Sequence, residues 1–313
     1  MSKCKSICKF IIPLLLILLA VNYRAEIISG TITLLQYLKN VKLKDVFIAF
    51  TLYLLSVYIF AERWKIVLNS LGYNLKTTQL FPVIFGAIPI NNITPANRAG
   101  GEPLRMFWIK KEYGVKYPDA FISILFERSV EALPVLVMGA YVVYSIMPLI
   151  QNILPSVSNI AYLALIPSIF LCVAYILRHR IEKYMDGLKT YYYKLKKVFF
   201  PTLFLSSTVW LLDILRFKFI TLSLGLHLPL KVIMLISLLY LILGSIPLTT
   251  GGLGVVETGL IVALNLFGIS TVTAAGIVVI ERFISYVLAS LIGSVFLIQF
   301  GGLKLWKDSK SHS

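Results

Sequence analysis

Ile88-Pro89-Ile90-Asn91-Asn92-Ile93-Thr94-Pro95-Ala96-Asn97-Arg98-Ala99-Gly100-Gly101-Glu102 and Ile246-Pro247-Leu248-Thr249-Thr250-Gly251-Gly252-Leu253-Gly254-Val255-Val256-Glu257 are two variations on one theme. Each opens on Ile-Pro, runs into paired glycines and ends on a glutamate. Each is followed by an apolar stretch with a Glu-Arg pair, Glu127-Arg128 and Glu281-Arg282. The spacing is nearly fixed: 155 residues separate Glu102 from Glu257, and 154 separate Glu127 from Glu281. A Pro/Gly-broken, charge-bearing element repeated in the two halves of a hydrophobic chain points to a transporter's binding site.

The 313 residues are 58% apolar and only 14% charged, with a mean hydropathy of +0.85. A soluble domain has about 45–50% apolar and about 25% charged residues, so the composition predicts an all-α polytopic membrane protein. Lys and Arg number 30 against 14 Asp and Glu, a net charge of +16. The cations cluster beside apolar spans, so topology and anionic headgroups explain them, and no nucleic-acid partner is expected. Cys4, Cys8 and Cys172, and His179, His227 and His312, form no set with metal-ligand spacing. The glycine motifs lack the lysine of a nucleotide loop. No metal, cofactor or catalytic residue is expected. A non-enzyme is the leading expectation, and a membrane-embedded transferase is a minor alternative.

A helix needs about 20 apolar residues to cross a bilayer core. Six full spans are predicted, near residues 10–25, 46–62, 120–147, 160–178, 199–217 and 272–299. Two shorter apolar segments, 80–93 and 232–247, end at the Pro/Gly motifs, where a continuous helix is disfavoured. They are read as re-entrant broken-helix hairpins, 80–105 and 232–260. Residues 22–45 are expected to include an interfacial helix, and the basic, tyrosine-rich stretch 178–197 a cytoplasmic connector or a landing patch for anionic lipid. With the N-terminus inside, the cytoplasmic segments hold 21 Lys and Arg and the outer ones 7, as the positive-inside bias requires. Both termini are then cytoplasmic in a plasma-membrane protein. Residues 1–150 and 151–313 form two halves with three crossings each. Two consecutive copies of an odd unit point oppositely, which gives an inverted repeat whose hairpin tips meet near the midplane.

Glu127 and Glu281 lie about ten residues into their spans, near mid-membrane at about 1.5 Å per residue. A charge there costs about 2.5–3.5 kcal/mol on insertion scales and normally faces a cavity or a partner. Glu127 with Arg128 is expected to reach the second hairpin, or Glu281 with Arg282 the first. Such contacts would act as clamps between the halves, or Arg128 and Arg282 would bind an anionic headgroup. Glu102 with Arg105, and Glu257, follow the hairpins. The amides of Gly100, Gly101, Gly251 and Gly252 are expected to face phosphate at half-helix ends. Asp213 and Arg216 are spaced for a local salt bridge.

Arg63-Trp64 with Leu68 and Gly72, Pro95 to Arg105, Glu127-Arg128, Pro247, Gly251 to Gly254, Glu257 and Glu281-Arg282 together resemble the lysylphosphatidylglycerol synthase transmembrane family, also called flippase-like integral membrane proteins. The resemblance covers nearly the whole chain. It implies handling of aminoacylated phosphatidylglycerol or polyprenyl-phosphate-linked sugars. No aminoacyl-transferase or glycosyltransferase domain is expected after the last span. The function this implies is translocation of an anionic phospholipid or a polyprenyl-phosphate-linked headgroup between leaflets. The alternative is a non-transporting subunit that binds a lipid for a separate lipid-modifying enzyme. A homo-oligomer is left open.

Overall fold

A computed structural model describes residues 24–94, 100–153, 185–246 and 248–301. It is all-helical, with no strand among the described residues. The helices are α1 Arg24–Leu38, α2 Leu43–Ser70, α3 Thr77–Ile93, α4 Gly101–Tyr113, α5 Tyr117–Ile153, α6 Met185–Lys196, α7 Phe199–Ser223, α8 Leu230–Ser245, α9 Val255–Leu266 and α10 Thr271–Gln299. Residues Phe283–Leu288 of α10 form a π segment.

The expected spans 46–62, 120–147, 199–217 and 272–299 each fall inside one continuous helix, α2, α5, α7 and α10. With 28, 37, 25 and 29 residues, each exceeds the ~30 Å of a bilayer core. Among the described helices, α2 and α10 are long and apolar enough to cross a membrane by composition as well. The helices α5 and α7 carry more charge, with Glu127, Arg128 and Glu131 on one and Asp213 and Arg216 on the other. The expected span 160–178 lies outside the described residues, as does 10–25 except for Arg24 and Ala25 at the start of α1.

Both Pro/Gly motifs break the helix where the sequence predicts: α3 stops at Ile93 and α8 at Ser245. The chain then turns back. Tyr113 at the end of α4 donates to the carbonyl of Gln79 at the start of α3, so α3 and α4 are an antiparallel hairpin. Helix α9 likewise shares a buried cluster with α8, through Leu260, Leu264, Ile233 and Ile236.

The two halves interlock. The most extensive pairing is α2 along α7. Helix α3 lies against the end of α10, and α8 against α5, so each hairpin leans on the long helix that ends the other half. One core gathers Trp64, Leu80, Phe85 and Trp108 with Ala289; the other gathers Phe217, Ile236, Leu260 and Ile277 with Ala49.

Two ends can be told apart. At one, the Lys42 amide donates to the Ser223 carbonyl at 2.9 Å and Tyr37 to that of Leu224 at 3.3 Å. At the other, Tyr73 and Tyr191 both donate to Asp119, and Lys194 Nζ to the Leu71 carbonyl at 3.4 Å. The loop after α2, the start of α5 and α6 therefore share one end, as the charge pattern demands. One revision follows. Arg63, Arg105 and Arg216, counted above with the flanking segments, are buried. Leaving them out of the sequence count changes 21 and 7 to 19 and 6, so the expected bias stays about threefold.

Candidate functional site

The site is built from two charge networks with the same plan. In the first half, Arg63 on α2 donates from Nε to Glu127 Oε1 at 3.1 Å and from Nη2 to Glu131 Oε2 at 3.2 Å. Arg105 on α4 takes Glu127 Oε2 at 3.2 Å. Arg128 bridges Glu102 at 3.2 Å and Glu131 at 2.6 Å. In the second half, Arg216 on α7 holds Glu281 and Asp213. Arg282 pairs with Glu257 at 2.6 Å and donates to the carbonyls of Gly251 and Gly252, each at 3.4 Å.

These ion pairs of Glu127, Arg128, Glu281 and Arg282 each stay inside one half, which corrects the expectation that a Glu-Arg pair reaches the opposite hairpin. The reason is geometric. Adjacent helix residues point about 100° apart, so Glu127 meets Arg63 on α2 and Arg105 on α4, while Arg128 reaches Glu102 at the start of α4 and Glu131 on its own helix. Glu281 and Arg282 divide in the same way between α7 and the end of the second hairpin.

Other groups join the halves. The Gly251 amide donates to the Thr94 carbonyl at 3.1 Å, so the two hairpin breaks touch. Tyr286, in the π segment, donates to the Asn92 carbonyl at 2.8 Å, and Asn92 Nδ2 donates to Ser290 at 2.8 Å. Arg63 Nη1 crosses to Ser206 on α7 at 2.9 Å. A π turn re-aims side chains within a helix and is frequent at functional sites; here it carries Ser285 and Tyr286 to the tips.

The glycine amides are spent on the fold. Gly100 donates to Thr94 Oγ1 at 3.2 Å, Gly101 to Asn91 Oδ1 at 2.8 Å, and Gly252 to the Thr249 carbonyl at 3.4 Å. What these glycines supply is closeness. A Cβ on Gly251 would strike the Asn92 carbonyl, and φ is +58° there and +71° at Gly252.

Between the halves lies a cavity of about 240 Å³. Arg105, Arg128 and Arg216 line it, with Glu102 and Asp213, and Tyr53, Tyr240, Asn91 and Asn92 among its other polar walls. Phe60 forms one wall, with the guanidinium carbons of Arg63, Arg105 and Arg128 at 4.3, 5.2 and 5.3 Å from its ring centroid. Arg105 also lies 4.0 Å from the Trp64 ring. These stacks attract the cations to the ring faces without consuming their hydrogen bonds. Arg105 Nε and Glu281 Oε1 are buried without a hydrogen-bond partner among the described residues. No group of three or more His, Cys, Asp and Glu residues among them is arranged to hold a metal.

Of the residues singled out in the sequence, Glu102, Arg105 and Arg128 line this cavity. Glu127 and Glu281 stand behind it, fully buried, as holders of Arg63, Arg105 and Arg216. Arg282, Glu257, Gly251 and Gly252 form the second hairpin's own knot. The sequence reading passed over Arg216 as part of a local pair, and Phe60, Tyr53 and Tyr240 as ordinary span residues. The signal for Arg216 is in the spacing: it follows Arg63 by 153 residues, within two of the 154 and 155 that separate the repeated glutamates.

The chain is similar to a UPF0104 membrane protein of Methanocaldococcus jannaschii, 26% identical with 94% of each chain covered. It is also similar to one of Methanothermobacter thermautotrophicus, 26% identical over 82% of this chain and 85% of the relative. One of Pyrococcus horikoshii is 22% identical over 87% and 91%. No solved structure matches the chain. The family model described as the lysylphosphatidylglycerol synthase TM region matches residues 7–293. This chain is therefore a membrane protein that belongs to the lysylphosphatidylglycerol synthase transmembrane-region family.

Proposed function

We propose that the protein is a lipid translocase that passes an anionic headgroup, of a phospholipid or a polyprenyl-phosphate-linked lipid, through the cavity between its halves. The observation that carries this reading is the convergence of Arg105, Arg128 and Arg216 on one enclosed space, with Arg105 Nε left unpartnered. A buried guanidinium with an unused donor, as at Arg105, suits a phosphate, which accepts several charge-assisted hydrogen bonds at once. An amphipathic lipid needs a protein path for its head alone, because its tails stay in the bilayer.

In this reading α3–α4 and α8–α9 are re-entrant hairpins that enter from opposite faces, and the halves 1–150 and 151–313 are an inverted repeat. Irregular backbone at that depth is tolerable where it is buried in protein or lines a wet cavity, and Asn91 and Asn92, just before the first break, line one. Glu102–Arg128 and Glu257–Arg282 are the two latches that hold each hairpin's return helix to the long helix after it. Glu127 and Glu281 orient the arginines that meet the headgroup. The plasma membrane is the site of action, with both termini cytoplasmic.

Proteoliposomes carrying acyl-labelled phosphatidylglycerol test this. A membrane-impermeant quencher should reach inner-leaflet lipid faster with protein than in empty vesicles. Arg105→Gln with Arg216→Gln should abolish the gain. Exchange no faster than in empty vesicles, for phosphatidylglycerol and for a polyprenyl-phosphate sugar, overturns the proposal. Tight lipid binding without exchange would select the rival, a subunit that presents a lipid to a separate enzyme.

A further inference from the structure

The basic, tyrosine-rich stretch before α7 is not used by the central cavity. Its described part is α6, and three contacts fix its roll. Tyr191 Oη donates to Asp119 at 2.5 Å, Lys194 Nζ donates to the Leu71 carbonyl, and Leu195 is buried with Val67 and Leu71. With that face committed, Tyr192 and Tyr193 stand exposed. Lys196 has its ammonium 5.9 Å from the Tyr192 ring, and no carboxylate partner for it occurs among the described residues.

Beside this helix runs a groove of about 460 Å³ between α5, α6 and α7, within the ~300–1,000 Å³ usual for ligand pockets. Its two ends differ. The α6 end presents Tyr192 and Lys196. From there it follows α5 past Leu125 and Phe126 to Ser129, with Phe199 of α7 as the other wall. A cation and a phenol at one end and an apolar trough two helical turns long match the shape of one lipid. Ammonium and tyrosine hydroxyl meet phosphate at the interface, and a hydrocarbon chain lies along the helix.

We propose that this groove is a binding site for an anionic phospholipid, with its phosphate at Lys196 and Tyr192 and one acyl chain along Leu125 and Phe126. It is separate from the central cavity and does not depend on transport. A soluble anion would leave the trough empty, and a zwitterionic lipid would bring a second cation to Lys196, so the net charge selects an anionic one.

The test uses the full chain in nanodiscs with photoactivatable phosphatidylglycerol or phosphatidylcholine bearing the same acyl-chain diazirine, the crosslinks being mapped by peptide mass spectrometry. Crosslinks within residues 122–129 should favour phosphatidylglycerol by about fivefold, the ~1 kcal/mol of one juxtamembrane cation expressed as a ratio. Lys196→Ala should remove the preference and Lys196→Arg retain it. Arg105→Gln, which disturbs the central cavity from outside this window, should leave these crosslinks unchanged. Absence of crosslinks in 122–129 with either lipid would show the groove closed to the bilayer and overturn the proposal. Equal crosslinking by both lipids, indifferent to Lys196→Ala, would reduce the groove to an ordinary boundary position and overturn it equally.

Discussion

Arg63 and Arg216 hold the same place in the two halves of the molecule. Each lies buried on the helix that precedes its half's hairpin, and each donates to the glutamate of that half's Glu-Arg pair, Glu127 or Glu281. The repeat is thus a repeat of ion-pair geometry as well as of sequence. Its two copies differ in what surrounds them: Glu131 and Arg105 join the first, and Asp213 the second.

Arg63→Ala should be the costliest single change in the first half. It strips a fully buried Glu127 of one of two cations and empties three hydrogen bonds at once. Breaking a buried pair from one side typically costs about 3–5 kcal/mol. Arg63→Lys should rescue little, because an ammonium cannot offer Glu127, Glu131 and Ser206 the planar fork they share. Thermal unfolding in detergent measures both, and an unshifted midpoint for Arg63→Ala would refute the assignment of this network as the structural anchor.

Arg128→Ala and Arg282→Ala should behave differently from Arg63→Ala. Their ion pairs with Glu102 and Glu257 are partly exposed, pairs of that kind contribute at most about 1 kcal/mol, and Glu131, which Arg128 also bridges, keeps Arg63 as its partner. Stability should fall slightly, while lipid exchange in proteoliposomes falls at least about tenfold if these pairs are the latches of the proposed cycle. Exchange at the wild-type rate in both variants would leave them as surface-like clamps.

Gly251→Val should push the hairpin tips apart. The new side chain meets the Asn92 carbonyl and the Tyr286 ring, and φ of +58° is strained for any β-branched residue. The Gly251–Thr94 hydrogen bond would be lost with it. A cysteine at Ser285, on the cavity wall, should then react faster with a soluble maleimide than in the parent. Unchanged reactivity would mean that the tips are not what closes the cavity.

Sidedness can be read by labelling single cysteines in sealed vesicles, in a background with the native cysteines replaced. Lys194→Cys and Lys111→Cys should label from one side and Lys42→Cys from the other. The structure puts Lys194 beside Leu71, the end of α4 beside the start of α3, and Lys42 beside Ser223. Co-labelling of positions 111 and 42 would defeat the hairpin topology.

The Tyr191 phenol, at the interface end of α6, is pushed up to about 12 because it donates a hydrogen bond to the Asp119 carboxylate, with burial adding to this. A raised phenol supports docking of α6 fully below its ordinary value of 10.0, and the support is lost as the pH rises through about 12. An absorbance titration of wild type minus Tyr191→Phe should show one phenolate appearing late, and Asp119→Asn should bring it back toward the ordinary range. A phenolate appearing at the ordinary value in the wild type would break the Tyr191–Asp119 link.

The helical membrane class, the two broken motifs and four of the long helices are legible in the chain, because each rests on local chemistry. Apolar runs of sufficient length, proline and paired glycines at a helix end, and a fixed period between Glu127 and Glu281 need no partner to be recognised. Burial and pairing were beyond it. Arg63, Arg105 and Arg216 read as flanking charges, since hydropathy counts a cation but cannot see the carboxylate that lets it go inside. The partners of Glu127 and Arg128 depended on helix rotation, which sends adjacent residues to different neighbours. The cavity walls, Phe60, Tyr53, Tyr240 and Arg216, come from α2, α7 and α8, and only the interlocking of the halves brings them together. The glycine amides, which a sequence offers freely to phosphate, are claimed by Thr94, Asn91 and Thr249. A buried donor takes the acceptor that folding places beside it, and that placement is decided by tertiary structure alone.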